Sequence, residues 1–503
     1  MKRHGLVVVL LFLPALWFPG CASQRYKPTG DVLLDMRNPD LRVRDRVAAA
    51  EILWSEMLAG ERERDLTRRA MKDLAWSTAT PIDVRVSCIA MLLDDPDSAG
   101  QEDARTMARL MLPTERTRSV VAVIASRAGQ NQWRDMTSAL VRSYSKPVDE
   151  VPDLERAERI ALEQLYPGHS IGQTIFEVFL EPGYDDTPAE LRLNQRTRAD
   201  VWNLLSRVDD TGQMRRSLIA HSSSTSVPAD ARLAVDALER AFNDLGIIPR
   251  TGDELRWVES LRSGSAENQK WWSESTSAVG RLRDDQRTGL EIRHIEAVRW
   301  AGIHRPGLLA LSRSELLAKL SASLEGREHY RRSAEKMVMN APRKEKLSDW
   351  QSYLVWGDLL AMLVVDEALT NDALRARLFE YVEIDRIDRT TEYGGIIEAG
   401  EGETFRSLLF RPRARDRKSD TEFVASEDMI LASDRALLHY HLHVQRVANA
   451  EYAGPSQADL EYAATSGRSC VVFTSINADR LNVDFYQPGG AVIDMGTIVR
   501  PGS

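Results

Sequence analysis

From Asn38 to about Phe242, apolar residues recur at spacings of three and four between short Pro, Gly, Asp or Ser breaks, the pattern of successive amphipathic helices. The stretch Thr251 to Leu369 keeps that period but gains Trp257, Trp271, Trp272, Trp300, Trp350 and Trp356, and a helix is expected over Trp350 to Leu369. Such tryptophans are expected to be core anchors. Trp271 and Trp272 are the pair expected to sit partly exposed, because neighbours on a helix do not face one core. After Asn371 the period changes. A helix through Leu374, Leu378 and Val382 gives way to β-rich runs at Tyr393 to Ile397, Phe405 to Phe410, Leu437 to Val444, Cys470 to Thr474 and Val483 to Tyr486. The pattern predicts a multidomain chain, all-α in its N-terminal and middle regions and α/β at its C-terminus. The run Arg411 to Lys418 reads as a solvated loop.

Within the first region, Val43-Arg44 leads to Ala49 and Ile52, Val84-Arg85 leads to Ala90 and Leu93, and Ala231-Arg232 leads to Ala237. Arginine followed by small residues, with a period of about 40, resembles HEAT-type repeats, in which small residues let paired helices approach closely. The resemblance implies a helical array with room for protein partners. The expected division is a signal peptide at 1–20, a linker at 21–37, HEAT-like repeats at 38–250, a Trp-rich helical region at 251–370 and the α/β domain at 371–503.

The N-terminus differs in kind. Lys2, Arg3 and His4 precede the apolar run Leu6 to Trp17, which is shorter than the roughly 20 residues of a membrane span, so a signal peptide is expected. Gly20-Cys21 resembles the lipobox of bacterial lipoproteins, in which the cysteine is lipidated and becomes the first mature residue; Phe18 and Pro19 depart from that box. The resemblance implies a lipid-anchored protein of the bacterial cell envelope, facing the periplasm, with ordinary secretion the alternative if Cys21 carries no lipid. Cys88 and Cys470 lie in apolar runs and read as core residues, so no disulfide framework is expected.

Composition narrows the function. With 43% apolar and 28% charged residues the chain is globular, and a formal net charge of -9 argues against nonspecific nucleic-acid binding. There is no G-x-S-x-G elbow and no phosphate-binding G-x-x-x-x-G-K-[ST] loop. The chemistry concentrates in Leu437-Leu-His-Tyr-His-Leu-His-Val444, where alternation on a strand points His439, His441 and His443 to one face. Imidazole is the commonest neutral metal ligand, and a catalytic zinc site takes three protein ligands with one position left open. A carboxylate follows in Ser456-Gln-Ala-Asp459, one helical turn long.

These residues resemble the JAMM/MPN-type zinc metallopeptidases, which carry E-x-x-G, then His-x-His, then Ser-x-x-Asp. Here the same order holds Glu392-Tyr-Gly-Gly395, His441-Leu-His443 and Ser456-Gln-Ala-Asp459. The connection after His443 is longer than usual in the family, and Gln445 to Gly454 reads as an inserted loop at the edge of the site. The resemblance implies one zinc ion on His441, His443 and Asp459, with His439 as the alternative ligand, Glu392 as general base and Ser456 as oxyanion donor. It implies hydrolysis of a peptide or isopeptide bond in a protein substrate, with the helical region presenting substrate or partners. The competing expectation is a non-catalytic lipoprotein platform that keeps the metal.

If Cys21 is lipidated, the protein partitions with membranes, and Cys21→Ser releases it. Wild-type protein recovered in the soluble fraction, with no lipid mass on its N-terminal peptide, contradicts the anchor.

Overall fold

The computed structural model describes residues 28–148, 151–183, 193–222, 227–262, 264–331 and 344–503. The signal peptide expected at 1–20 and Cys21 lie outside them. The chain divides into two compact units, 1–127 and 128–503. Among the described residues no helix is long and apolar enough to cross a membrane.

The described part of the first unit is helical throughout. Helix Val32–Arg37, inside the segment expected to be a linker, packs on Val43–Leu58, and Arg64–Trp76 packs on Ile82–Leu93. In each pair a buried arginine of the second helix reaches back to a carbonyl near the end of the first: Arg46 Nε donates to Met36 O and Arg85 Nε to Ala75 O, both at 3.0 Å. The internal similarity is therefore built on Arg46 and Arg85. Arg44, its side chain 73% exposed, is not the counterpart of Arg85, because the internal carbonyl faces the position two residues further on.

In the second unit, helices lead into a mixed six-stranded sheet of order β2-β1-β3-β4-β5-β6. The strands are β1 (Gly394–Ala399), β2 (Phe405–Phe410), β3 (Ala436–His443), β4 (Cys470–Asn477), β5 (Arg480–Tyr486) and β6 (Val492–Val499). β3 and β4 run parallel and every other neighbouring pair antiparallel. Strand alternation sorts the side chains into two layers. Leu438, Tyr440 and Leu442, with Val471, Phe473, Val483, Phe485 and Ile493, join one large core with the helices Ile292–His304 and Trp356–Leu369. Cys470, Val472, Tyr486 and Val492 face the other way, against Ala463 of helix Gln457–Ser466. Both faces of β3 are covered, so all eight of its residues are buried.

The tryptophans anchor this arrangement. Trp257, Trp271, Trp272, Trp300 and Trp356 all belong to the large core. Trp271 and Trp272 are both buried, contrary to the expectation from helix geometry, because helix Ala266–Val279 is flanked on two sides: Trp271 Nε1 donates to Glu296 and Trp272 Nε1 to Asp244. The helix expected from Trp350 starts at Trp356, where Asp358 caps the Val355 N–H at 2.8 Å. The loop Arg411 to Lys418 holds a single 3₁₀ turn and is largely exposed. Cys88 and Cys470 are buried free thiols, each pushed up to about 12 by burial.

One ion network ties helices to sheet. Arg293 bonds Asp358 at 2.7 Å, Glu291 at 2.7 Å and Gln487, just beyond β5, at 2.8 Å. His294 Nδ1 accepts from the Glu291 N–H, so its Nε2 carries the proton donated to Asp358 at 2.8 Å. Asp358→Ala leaves buried Arg293 short of a counter-charge and uncaps a core helix, so denaturant unfolding should show a loss of about 3–5 kcal/mol. Asp358→Asn, which keeps the cap, should cost less; equal midpoints for wild type and Asp358→Ala contradict the network's role.

Candidate metal centre

The site begins with the polar layer of β3. His441 and His443 point, with Cys470, Val472 and Tyr486, to the face covered by helix Gln457–Ser466. Their Nε2 atoms lie 3.2 Å apart. The Nδ1 atom of His443 lies 3.1 Å from the Tyr452 carbonyl, which only accepts, so Nδ1 carries the hydrogen and Nε2 presents a lone pair. Nδ1 of His441 is 3.3 Å from the Tyr486 hydroxyl, a partner able to accept in the same way. With Tyr486 accepting, the Nε2 lone pairs of both rings converge in a buried space, an arrangement that a cation relieves.

Asp459 supplies the anion. Ser456 is the N-cap of helix Gln457–Ser466 and Asp459 its third residue: the Asp459 N–H donates to Ser456 Oγ at 3.3 Å, and Asp459 Oδ2 accepts from the Ser456 N–H at 2.6 Å. That reciprocal cap aims Oδ2 at the histidines, 3.4 Å from His441 Nε2 and 3.9 Å from His443 Nε2. A tetrahedral zinc shell with bonds of about 2.0–2.1 Å has ligand atoms about 3.3 Å apart. The donor triangle fits it closely on two edges and needs a small inward shift on the third.

Glu392 approaches from the β1 side. Gly394 pairs with His441 across the sheet, which brings the residue two positions earlier next to His443. Glu392 Oε1 is 3.9 Å from His443 Nε2 and accepts from Gln445 Nε2 at 2.6 Å. Glu392, His441 and His443 form a buried group that could hold a metal ion, their ligand atoms all within 4.8 Å of one another. Burial, then the charge of Asp459 and then that of Asp385, push the Glu392 carboxyl well above the usual carboxylate range. Asp459 is the opposite case. Burial alone would raise it, but His441 and His443, whenever their rings are protonated, and the Ser456 N–H hold it well below that range. The surroundings thus shift the two acids of one site in opposite directions.

His439 lies elsewhere. Its Nδ1 is 2.7 Å from the Tyr462 hydroxyl, its ring stacks on that tyrosine, and burial depresses its basicity strongly. Its Nε2 has no hydrogen-bond partner among the described residues. The strand register places it beside Cys470, at the far end of helix Gln457–Ser466 from Asp459, so the structure brings His441 and His443 together with Asp459 and leaves His439 out.

Sequence reasoning missed several contributors. Phe423 stacks on His441 at 5.3 Å and covers one side of the site; a Cβ on Gly394 would fall 2.3 Å from that ring, which is why the position opposite His441 is glycine. Tyr486 belongs to no motif, and Gln445 was placed only in the loop at the edge of the site, with no bond to Glu392 expected. The chain matches no protein-family model, no curated protein and no solved structure.

His441→Ala, His443→Ala and Asp459→Ala should each abolish most metal uptake measured on purified protein, because a site stripped of one of three ligands holds a divalent ion poorly. His439→Ala should keep it. Metal lost in the His439 variant and retained in the His443 variant contradicts this ligand set.

Proposed function

We propose that the C-terminal part of the chain is a zinc-dependent peptidase or isopeptidase of the JAMM-like kind, lipid-anchored through Cys21 in a bacterial envelope and facing the periplasm, with the helical region presenting protein substrates. The observation that carries this reading is the way four buried groups are held: His441, His443 and Asp459 close a triangle of ligand size, while the Glu392 carboxylate, as near to His443 as Asp459 is, is bound by the Gln445 amide. A purely structural zinc site closes its fourth position with a protein ligand; a catalytic one leaves it open.

A zinc ion bound there supplies Lewis acidity and a water acidic enough to lose its proton near neutrality. The chain's own residues do the rest. Glu392, its Oε1 3.9 Å from His443 Nε2, is placed to take a proton from that water and pass it to a leaving amine. Ser456 Oγ accepts the Asp459 N–H, which leaves its own hydrogen to donate to a developing oxyanion. Phe423 over His441 limits water at the site.

A specific observation favours a second reading, a non-catalytic platform. Glu392, His441, His443 and Asp459 are only 3%, 1%, 6% and 7% exposed, so a substrate must displace a covering group to reach them. Phe423, half-buried, is the group whose movement would open the way.

Glu392→Gln separates the two. It keeps size and polarity but cannot carry the proton, so hydrolysis of a peptide and isopeptide library should fall by roughly 10²- to 10⁴-fold at unchanged zinc content. No turnover by zinc-loaded wild type supports the platform, whereas equal turnover by wild type and variant contradicts the role of Glu392.

A further inference from the structure

Two carboxylates flank the same pair of imidazoles at the same distance from His443, 3.9 Å for Glu392 Oε1 and 3.9 Å for Asp459 Oδ2. Nothing in the side chains themselves decides which becomes a ligand and which stays a base. The difference lies in what holds each oxygen. Asp459 is aimed by the main chain of its own helix cap. Glu392 is held by Gln445, the second residue of the long connection between His443 and Ser456.

That amide is itself oriented. Gln445 Oε1 accepts from Asn449 Nδ2 at 2.8 Å, which turns Nε2 toward Glu392, and Nε2 donates both to Glu392 Oε1 and to the Asp420 carbonyl at 2.6 Å. Asn449, 1% exposed, is fixed in turn: its Nδ2 also donates to the His443 carbonyl at 3.1 Å, and its N–H to the Ser475 carbonyl of β4 at 2.8 Å. Ser475 Oγ donates to the Val447 carbonyl, pinning the loop between them. The loop is thus a rigid strut from β4 to the Glu392 carboxylate.

We propose that Gln445 is a positioning residue that restrains Glu392 from closing onto the metal, keeping the fourth coordination position open. The restraint is a short hydrogen bond to the one Glu392 oxygen that faces His443. Without it, Glu392 moves in by well under the length of its own side chain and completes a shell of two imidazoles and two carboxylates, a closed site of the structural kind. This rests on the metal-centre reading of the proposed function, and not on the reaction.

The test uses the full chain with Gln445→Met, which keeps volume and removes the donor, beside Glu392→Gln and the double variant. Zinc affinity is measured by competition with a chromophoric chelator, and coordination by the visible absorption of the cobalt(II)-loaded proteins. Gln445→Met should bind zinc more tightly, by about tenfold or 1.4 kcal/mol if one carboxylate ligand is gained, and shift the cobalt spectrum, while any hydrolysis falls. In the Glu392→Gln background the same change should leave affinity and spectrum unaltered, since the effect passes through that carboxylate. Affinity unchanged or weakened in Gln445→Met, or tightening that persists without the Glu392 carboxylate, overturns the proposal. A wild-type chain that binds no metal overturns it together with the hydrolase reading, whereas tightening in a protein that hydrolyses nothing overturns the hydrolase alone.

Discussion

Burying three imidazoles on one face of a central strand is the constraint to which the rest of the C-terminal unit answers. A polar ring in a covered strand must find partners or be penalised by its desolvation. β3 resolves this unevenly along its length. His439 takes a tyrosine hydroxyl, while His441 and His443 turn their Nδ1 atoms outward to Tyr486 and Tyr452 and their Nε2 atoms toward each other. The unresolved demand is concentrated at one end of the strand, beside the N-terminus of helix Gln457–Ser466, where Asp459 answers it.

The helical part of the unit is what allows the strand to be covered. The layer of Leu438, Tyr440 and Leu442 packs on helices whose Trp257, Trp300 and Trp356 fill the space behind the sheet. Polar ties fix the register between the layers: Arg293 spans Asp358 and Gln487, and the Arg468 guanidinium lies 3.8 Å over the Trp257 ring. Helix Gln457–Ser466 ends at Gly467, φ 73°, and a Cβ there would meet Glu254 at 2.3 Å. The helix that carries Asp459 is therefore seated directly against the helical region, and the candidate metal centre depends on packing far outside its own motif.

Much of this was legible in the sequence, for physical reasons that differ by element. Alternation in Leu437 to Val444 announced a strand with one polar face, and Ser456 with Asp459 announced one turn of helix, because both signals are local. The opposite side of the ledger is tertiary. β6 was not foreseen, nor that Trp271 and Trp272 are both buried, since burial on two sides of one helix is decided by distant segments. The choice of Arg46 over Arg44 turned on a single carbonyl, Met36 O. Gln445 was visible as part of a long connection, but its bond to Glu392 joins residues 53 positions apart and leaves no local trace.

The central claim is the identity of the donors around one metal ion. It is tested most directly by a crystal structure of the zinc-loaded protein with anomalous diffraction recorded on both sides of the zinc edge. The account predicts one anomalous peak about 2.0–2.2 Å from His441 Nε2, His443 Nε2 and an Asp459 carboxylate oxygen, with Glu392 outside bonding distance. A peak bonded to His439, or no peak in this space at full zinc occupancy of the protein, would contradict it.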